Sequence, residues 1–159
     1  MIARAIFWLT FAVYMPLGYF VFQVFQMTGG MVIFDLQVVG YSAAWGQRFL
    51  AALPPEGVAL YVAWIRPLDT VIPILLASTI SAHALRTAPW WKWVCVAVTA
   101  NTAMLDLIEN VHLAALITGT VEPLAENITA ASWVTRAKYL SLLTSIILLV
   151  AAHRRSNHA

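Results

Sequence analysis

Asp106, Glu109 and Asn110 stand at i, i+3 and i+4 within an apolar run over 93–117. A helix there puts both carboxylates and the amide on one face, continued by Thr102 and Leu113. On insertion scales a carboxylate at the centre of a membrane helix costs roughly 2.5–3.5 kcal/mol. This face is therefore expected to turn away from lipid, toward other helices that carry something to pair with it. Two chemistries follow. In the first, Asp106 and Glu109 act as acid–base groups, with Lys138 or Arg136 steadying negative charge, so the candidate catalytic set is Asp106, Glu109 and Lys138. Asp69, Asn110, Arg136 and Arg66 are the candidate ligand-binding residues around it. In the second, the same charges are structural, fixing the register of packed helices with the help of Ser, Thr and Asn.

The elements that must position these residues are set by composition. The 159 residues are 62% hydrophobic and 10% charged, with mean hydropathy +0.81. A soluble domain carries about 25% charged residues; this chain cannot solvate an ordinary surface and reads as a multi-pass membrane protein. At this length a single domain over 1–159 is expected. The fold class predicted is all-α: an integral membrane four-helix bundle with an extracytoplasmic helix and loop segment between helices 1 and 2. Spans are predicted over 5–27, 66–85, 93–117 and 132–152. Pro16 and Gly18 fall inside the first, and Gly29-Gly30 ends it. Pro54-Pro55-Glu56 is a helix opening, so the second helix is expected to begin near Glu56 and project beyond the roughly 30 Å hydrocarbon core. Ser42–Leu53 reads as a short interfacial helix capped by Ser42, with Trp45, Phe49 and Leu53 at i, i+4 and i+8.

Arg4, Arg86, Lys92, Arg154 and Arg155 flank the spans on one side, with Trp90, Trp91 and Trp93 at an interfacial position. The positive-inside rule then places both termini and the 86–92 loop in the cytoplasm, most simply at a bacterial inner membrane. Counted from those ends at 1.5 Å per residue, Asp69 lies about 24 Å deep, Asp106 and Glu109 about 20 and 24 Å, Lys138 about 23 Å and Arg136 about 26 Å. The charges thus form one layer in the extracytoplasmic third. Arg136 and Lys138 are two residues apart and cannot both face the bundle centre; spacing does not choose between them. Arg66 and Asp69 are close enough to pair within their helix. Asp69, Asp106 and Glu109 against Arg66, Arg136 and Lys138 would leave the layer nearly neutral.

Other chemistries have less support. His83 and His112 differ by about 25 Å in depth, too far for one haem. The adjacent Arg and Lys argue against a metal on Asp69, Asp106 and Glu109. No HExxH, GxSxG, phosphate-binding or dinucleotide pattern occurs. A proton path lacks a polar trail through the cytoplasmic half. Cys95 excludes an internal disulfide and reads as a small core residue. No cofactor and no metal is expected, and nucleic acid is excluded as a partner. Whether the chain is an enzyme stays open. The leading expectation is a membrane protein that binds or transforms an apolar small molecule or lipid. The alternative is a non-catalytic accessory or assembly subunit of a larger complex. The partners expected are membrane lipids, with an apolar small molecule in the first case and other membrane subunits in the second.

Overall fold

In the computed structural model, residues 2–86 and 91–156 are described, and they form helices joined by short connections. α1 covers Ile2–Met27, α2 Ala43–Ala52, α3 Pro55–Ala84, α4 Trp91–Ile117 and α5 Ala125–Ser156. A 3₁₀ turn, Phe34–Leu36, lies between α1 and α2. α1, α3, α4 and α5 are each long and apolar enough to cross a membrane, so the chain is an all-α, multi-pass membrane bundle. The topology argument leans in part on Arg4, Arg154, Arg155 and Trp90. Trp90 and the side chains of those arginines lie outside the described residues.

Two helices depart from the sequence expectation, α3 in its regularity and α5 in its length. α3 does begin at Pro55, but its run is not uniform. Tyr61–Ile65 widens into a π turn before the helix resumes at Arg66. Pro67 explains the widening: it has no N–H for the Ala63 carbonyl, and its ring crowds that carbonyl in an α-turn. Pro73 likewise brings no N–H to the carbonyl of Asp69, although the helix stays α-helical there. α5 begins at Ala125, seven residues before the predicted 132. Pro123 stops the preceding loop, Glu126 suits the positive end of the dipole, and Ile128 and Ala131 are fully buried. The extra two turns at this end are held by packing against the segment between α1 and α3.

That segment is a folded lid. Phe34 is buried beneath Tyr41, Trp45 and Phe49, with ring centroids 4.9, 5.4 and 4.8 Å away. Ser42 caps α2 by accepting from Trp45 N at 3.2 Å, as its sequence implies. α2 lies on α5 rather than free in the interface: a Cβ at Gly46 would sit 2.6 Å from Ile128 Cγ2, so only glycine permits this approach. α1 packs on α3, α3 on α4 and α4 on α5, whereas α1 and α5 scarcely touch. The bundle is thus closed on three sides and loose on the fourth, with the lid across one end.

Candidate functional site at the lidded end of the bundle

The charged layer exists, and its centre is Lys138. This lysine extends into the bundle and holds Asp106 Oδ1 at 2.7 Å and Glu109 Oε2 on its other side. Thr135, one turn before Lys138 on α5 and fully buried, donates its hydroxyl to Glu109 Oε1. Asp106 and Glu109 thus meet Lys138 as the spacing allows, and Thr135, which the sequence did not single out, completes an i and i+3 pair on α5 facing i and i+3 on α4. The side chains of Glu109, Lys138 and Asp106 are 0%, 8% and 13% exposed, so the pairs are screened from water.

Lys138, not Arg136, faces the interior. Arg136 is exposed; its Nε donates to the Val39 carbonyl at 3.0 Å and its guanidinium lies 4.8 Å from the Trp133 ring. Arg66 is exposed as well. Neither arginine pairs with a carboxylate among the described residues. The near-neutral layer expected from the sequence is therefore corrected. The two arginines sit outside it, because each is at a helix face turned from the bundle centre. Asp69 and Asn110 do belong. The Asn110 amide stands beside the Asp69 carboxylate in the α3–α4 seam, but Asp69 Oδ2 and both Asn110 amide atoms are buried without a well-formed hydrogen bond.

Sequence reasoning missed one acidic residue. Asp35 is 6% exposed, and neither of its carboxylate oxygens has a hydrogen-bond partner. Its position is fixed through the backbone. Tyr139 donates its hydroxyl to the Asp35 carbonyl at 2.6 Å, Arg136 binds Val39 O, and Ser132 Oγ accepts from Tyr41 N at 2.9 Å. Ser132, Arg136 and Tyr139 recur at i, i+4 and i+7, one stripe of α5 that straps the lid. Gly40 completes the strap with φ +80°, and a Cβ there would collide with the Arg136 side chain and with Ser132 Oγ. Burial, then the charges of Asp69 and Glu109, push the Asp35 carboxyl well above the usual range. Burial likewise raises the Tyr41 phenol. The one signal available for Asp35 in sequence was a lone carboxylate in the apolar run Met31–Leu36.

Asp35, Asp69, Asp106 and Lys138 share one end of a cavity of about 130 Å³. Its remaining wall is mostly apolar: Leu17 and Val21 of α1, Ile72, Leu76 and Ile80 of α3, and Leu142 of α5. Tyr14 of α1 and Tyr139 of α5 also line it. Glu109 and Asn110 lie behind the wall rather than on it. The site combines a mostly apolar chamber, acceptors with no hydrogen-bonded donor, and one ammonium already doubly paired. Among the described residues, no group of three His, Cys, Asp or Glu is placed to hold a metal. No protein-family model, curated protein or solved structure matches the chain.

Proposed function

We propose that this protein binds an apolar small molecule or lipid at the lidded end of its bundle, with Asp106 and Lys138 at the polar end of the site. The observation that supports the reading is the cavity itself. Buried charges used only as glue need no open space beside them, yet here three carboxylates and a lysine border one. A cavity of about 130 Å³ is close to the engineered 150 Å³ cavity that admits benzene, and well below the 300–1,000 Å³ of sites that enclose drug-sized ligands. It therefore takes one end of a lipid-like molecule. The remainder would lie along the loose α1–α5 side, toward the acyl chains. In an enzymatic version, Asp106 is the acid–base group at the wall, while Glu109 and Thr135 position Lys138.

The positive-inside rule puts the lid on the extracytoplasmic side. Cysteines placed at the exposed Gln47 in α2 and at Arg86 should label from opposite faces of the membrane. Labelling from the same face would reverse that orientation argument. Binding is tested by thermal unfolding of the purified protein in mild detergent with and without native lipid extract. Wild type should be stabilised, and Ala77→Phe, which fills the cavity, should not. Val21→Phe repeats the test from α1. Equal stabilisation of wild type and both variants would remove the cavity from the reading.

A further inference from the structure

The cavity's charge balance identifies the class of ligand, on the reading that the cavity is a binding site. Four carboxylates, Asp35, Asp69, Asp106 and Glu109, lie toward this end of the bundle, spread around the one ammonium of Lys138. Lys138 is committed to Asp106 and Glu109. Asp35 and Asp69 remain on the wall. Both oxygens of Asp35 and Oδ2 of Asp69 are buried and accept nothing. A buried carboxylate without a donor is strongly unfavourable, and the ordinary remedies are a proton or a cation. Three alternatives fail on chemistry. An anionic head group meets more negative charge. A neutral apolar ligand supplies neither charge nor donor, and leaves Asp35 to hold its own proton, which an ammonium would replace. A hard metal ion needs a convergent ligand set, which the described residues do not form. An ammonium with N–H bonds supplies both charge and donors, and Tyr14 and Tyr139 add aromatic rings at the wall.

We infer that the cavity binds a protonated primary or secondary amine carried on an apolar body, its nitrogen donating to Asp35 and Asp69 and its hydrocarbon lying against Leu17, Ile72 and Leu76. Asp35 makes the lid part of the site. The strap from α5 holds its backbone, so the amine bridges lid and bundle.

The test is a set of eight-carbon probes: octylamine, octanol, octanoate and octyltrimethylammonium, each added to the purified protein in non-ionic detergent. Saturating octylamine should raise the unfolding temperature by about 3 °C or more, and the other three by much less. Asp35→Asn should abolish the octylamine shift while keeping helical content, and Asp69→Asn should weaken it. Equal shifts from octanol and octylamine would overturn the amine assignment and leave the apolar-site reading standing. An equal shift from octyltrimethylammonium would overturn the role of the N–H donors, and a larger one from octanoate the sign of the charge. Full octylamine stabilisation of Asp35→Asn would overturn the role of the lid. If neither the four probes nor native lipid extract stabilises wild type, the binding site itself fails and the amine with it. The wild-type probe series decides the ligand class even if a variant does not fold.

Discussion

Two faces of α5 carry buried polar groups, and they are finished differently. Toward α4, the buried polar side chains of α5 among the described residues have partners. Thr135 holds Glu109, Lys138 holds Asp106 and Glu109, Thr102 donates to Ser141 Oγ at 2.8 Å, and Ser145 donates to the Ser141 carbonyl at 3.0 Å. Toward the lid and α3, Asp35 and Asp69 keep oxygens with no donor beside open space. A membrane helix gains from polar contacts whose members are all satisfied, because they fix register without leaving a charge exposed to hydrocarbon. Unsatisfied groups beside a cavity gain nothing for the fold. The first face is explained by folding alone, and the second is where the proposed ligand would supply the missing donors.

The largest expected effect tests the satisfied face. Lys138→Met removes the one cation from among four carboxylates. Breaking a fully buried ion pair from one side costs roughly 3–5 kcal/mol. Folded yield after detergent extraction should collapse, and the double change Lys138→Met with Glu109→Leu should recover part of it. A stable Lys138→Met protein would mean that water reaches the layer, and the contrast between the two faces would dissolve.

Next is the strap that holds the lid. Gly40→Ala places a side chain at positive φ, a cost of about 1–2 kcal/mol for an L residue, and drives its Cβ into Arg136 and Ser132. Limited proteolysis should then cut the lid segment faster, with lost octylamine stabilisation and an intact bundle. An unchanged cleavage rate would show that the lid does not depend on the stripe Ser132, Arg136 and Tyr139.

The unsatisfied face makes the opposite prediction, a gain. Asp35 holds its proton in the folded protein well above the pH at which the unfolded chain releases it. The folded state therefore binds more protons across that window, and Asp35's contribution to stability is lost as pH rises from about 4 toward the raised value. Asp69, Glu109, Lys138 and Asp106 are the charged groups that act on it. Asp35→Asn should be more stable than wild type at neutral pH, by on the order of 1 kcal/mol, with the difference vanishing below about pH 4. Thermal unfolding of both proteins across pH 4–8 measures this. An Asn variant less stable at pH 7 would mean that Asp35 is a structural group with a partner of its own.

Much of this arrangement was legible in the sequence, and the gaps have physical causes. Helical spacing and depth brought Asp106, Glu109 and Lys138 together, because both follow from a fixed rise and pitch. The cap at Ser42 and the opening at Pro55 were equally local. The choice between Arg136 and Lys138 was not, since each direction is consistent with the spacing until the lid supplies Val39 O. The depth estimate also placed Arg66 in the layer, although its side chain turns outward. Asp35 escaped because a loop has no periodicity from which to infer its facing. Its burial depends on Phe34 folding under Tyr41, Trp45 and Phe49, and on α5 starting early enough to carry that lid.

The smallest effect belongs to the far end of the satisfied face. Ser141 Oγ accepts from Thr102 at 2.8 Å and from Asn101 Nδ2 at 3.1 Å. Ser141→Ala removes that acceptor, but Thr102 then turns its one hydroxyl proton to the Val98 carbonyl at 3.0 Å. Side-chain hydrogen bonds between membrane helices average about 0.6 kcal/mol, and the fallback at Thr102 keeps the loss at or below that level. Thermal unfolding of Ser141→Ala should fall by no more than a degree or two, and its octylamine shift should match wild type, since Ser141 is not on the cavity wall. Loss of the octylamine response with little loss of stability would move the site into the α4–α5 seam. The two faces of α5 would then be one continuous polar system rather than a scaffold beside a site.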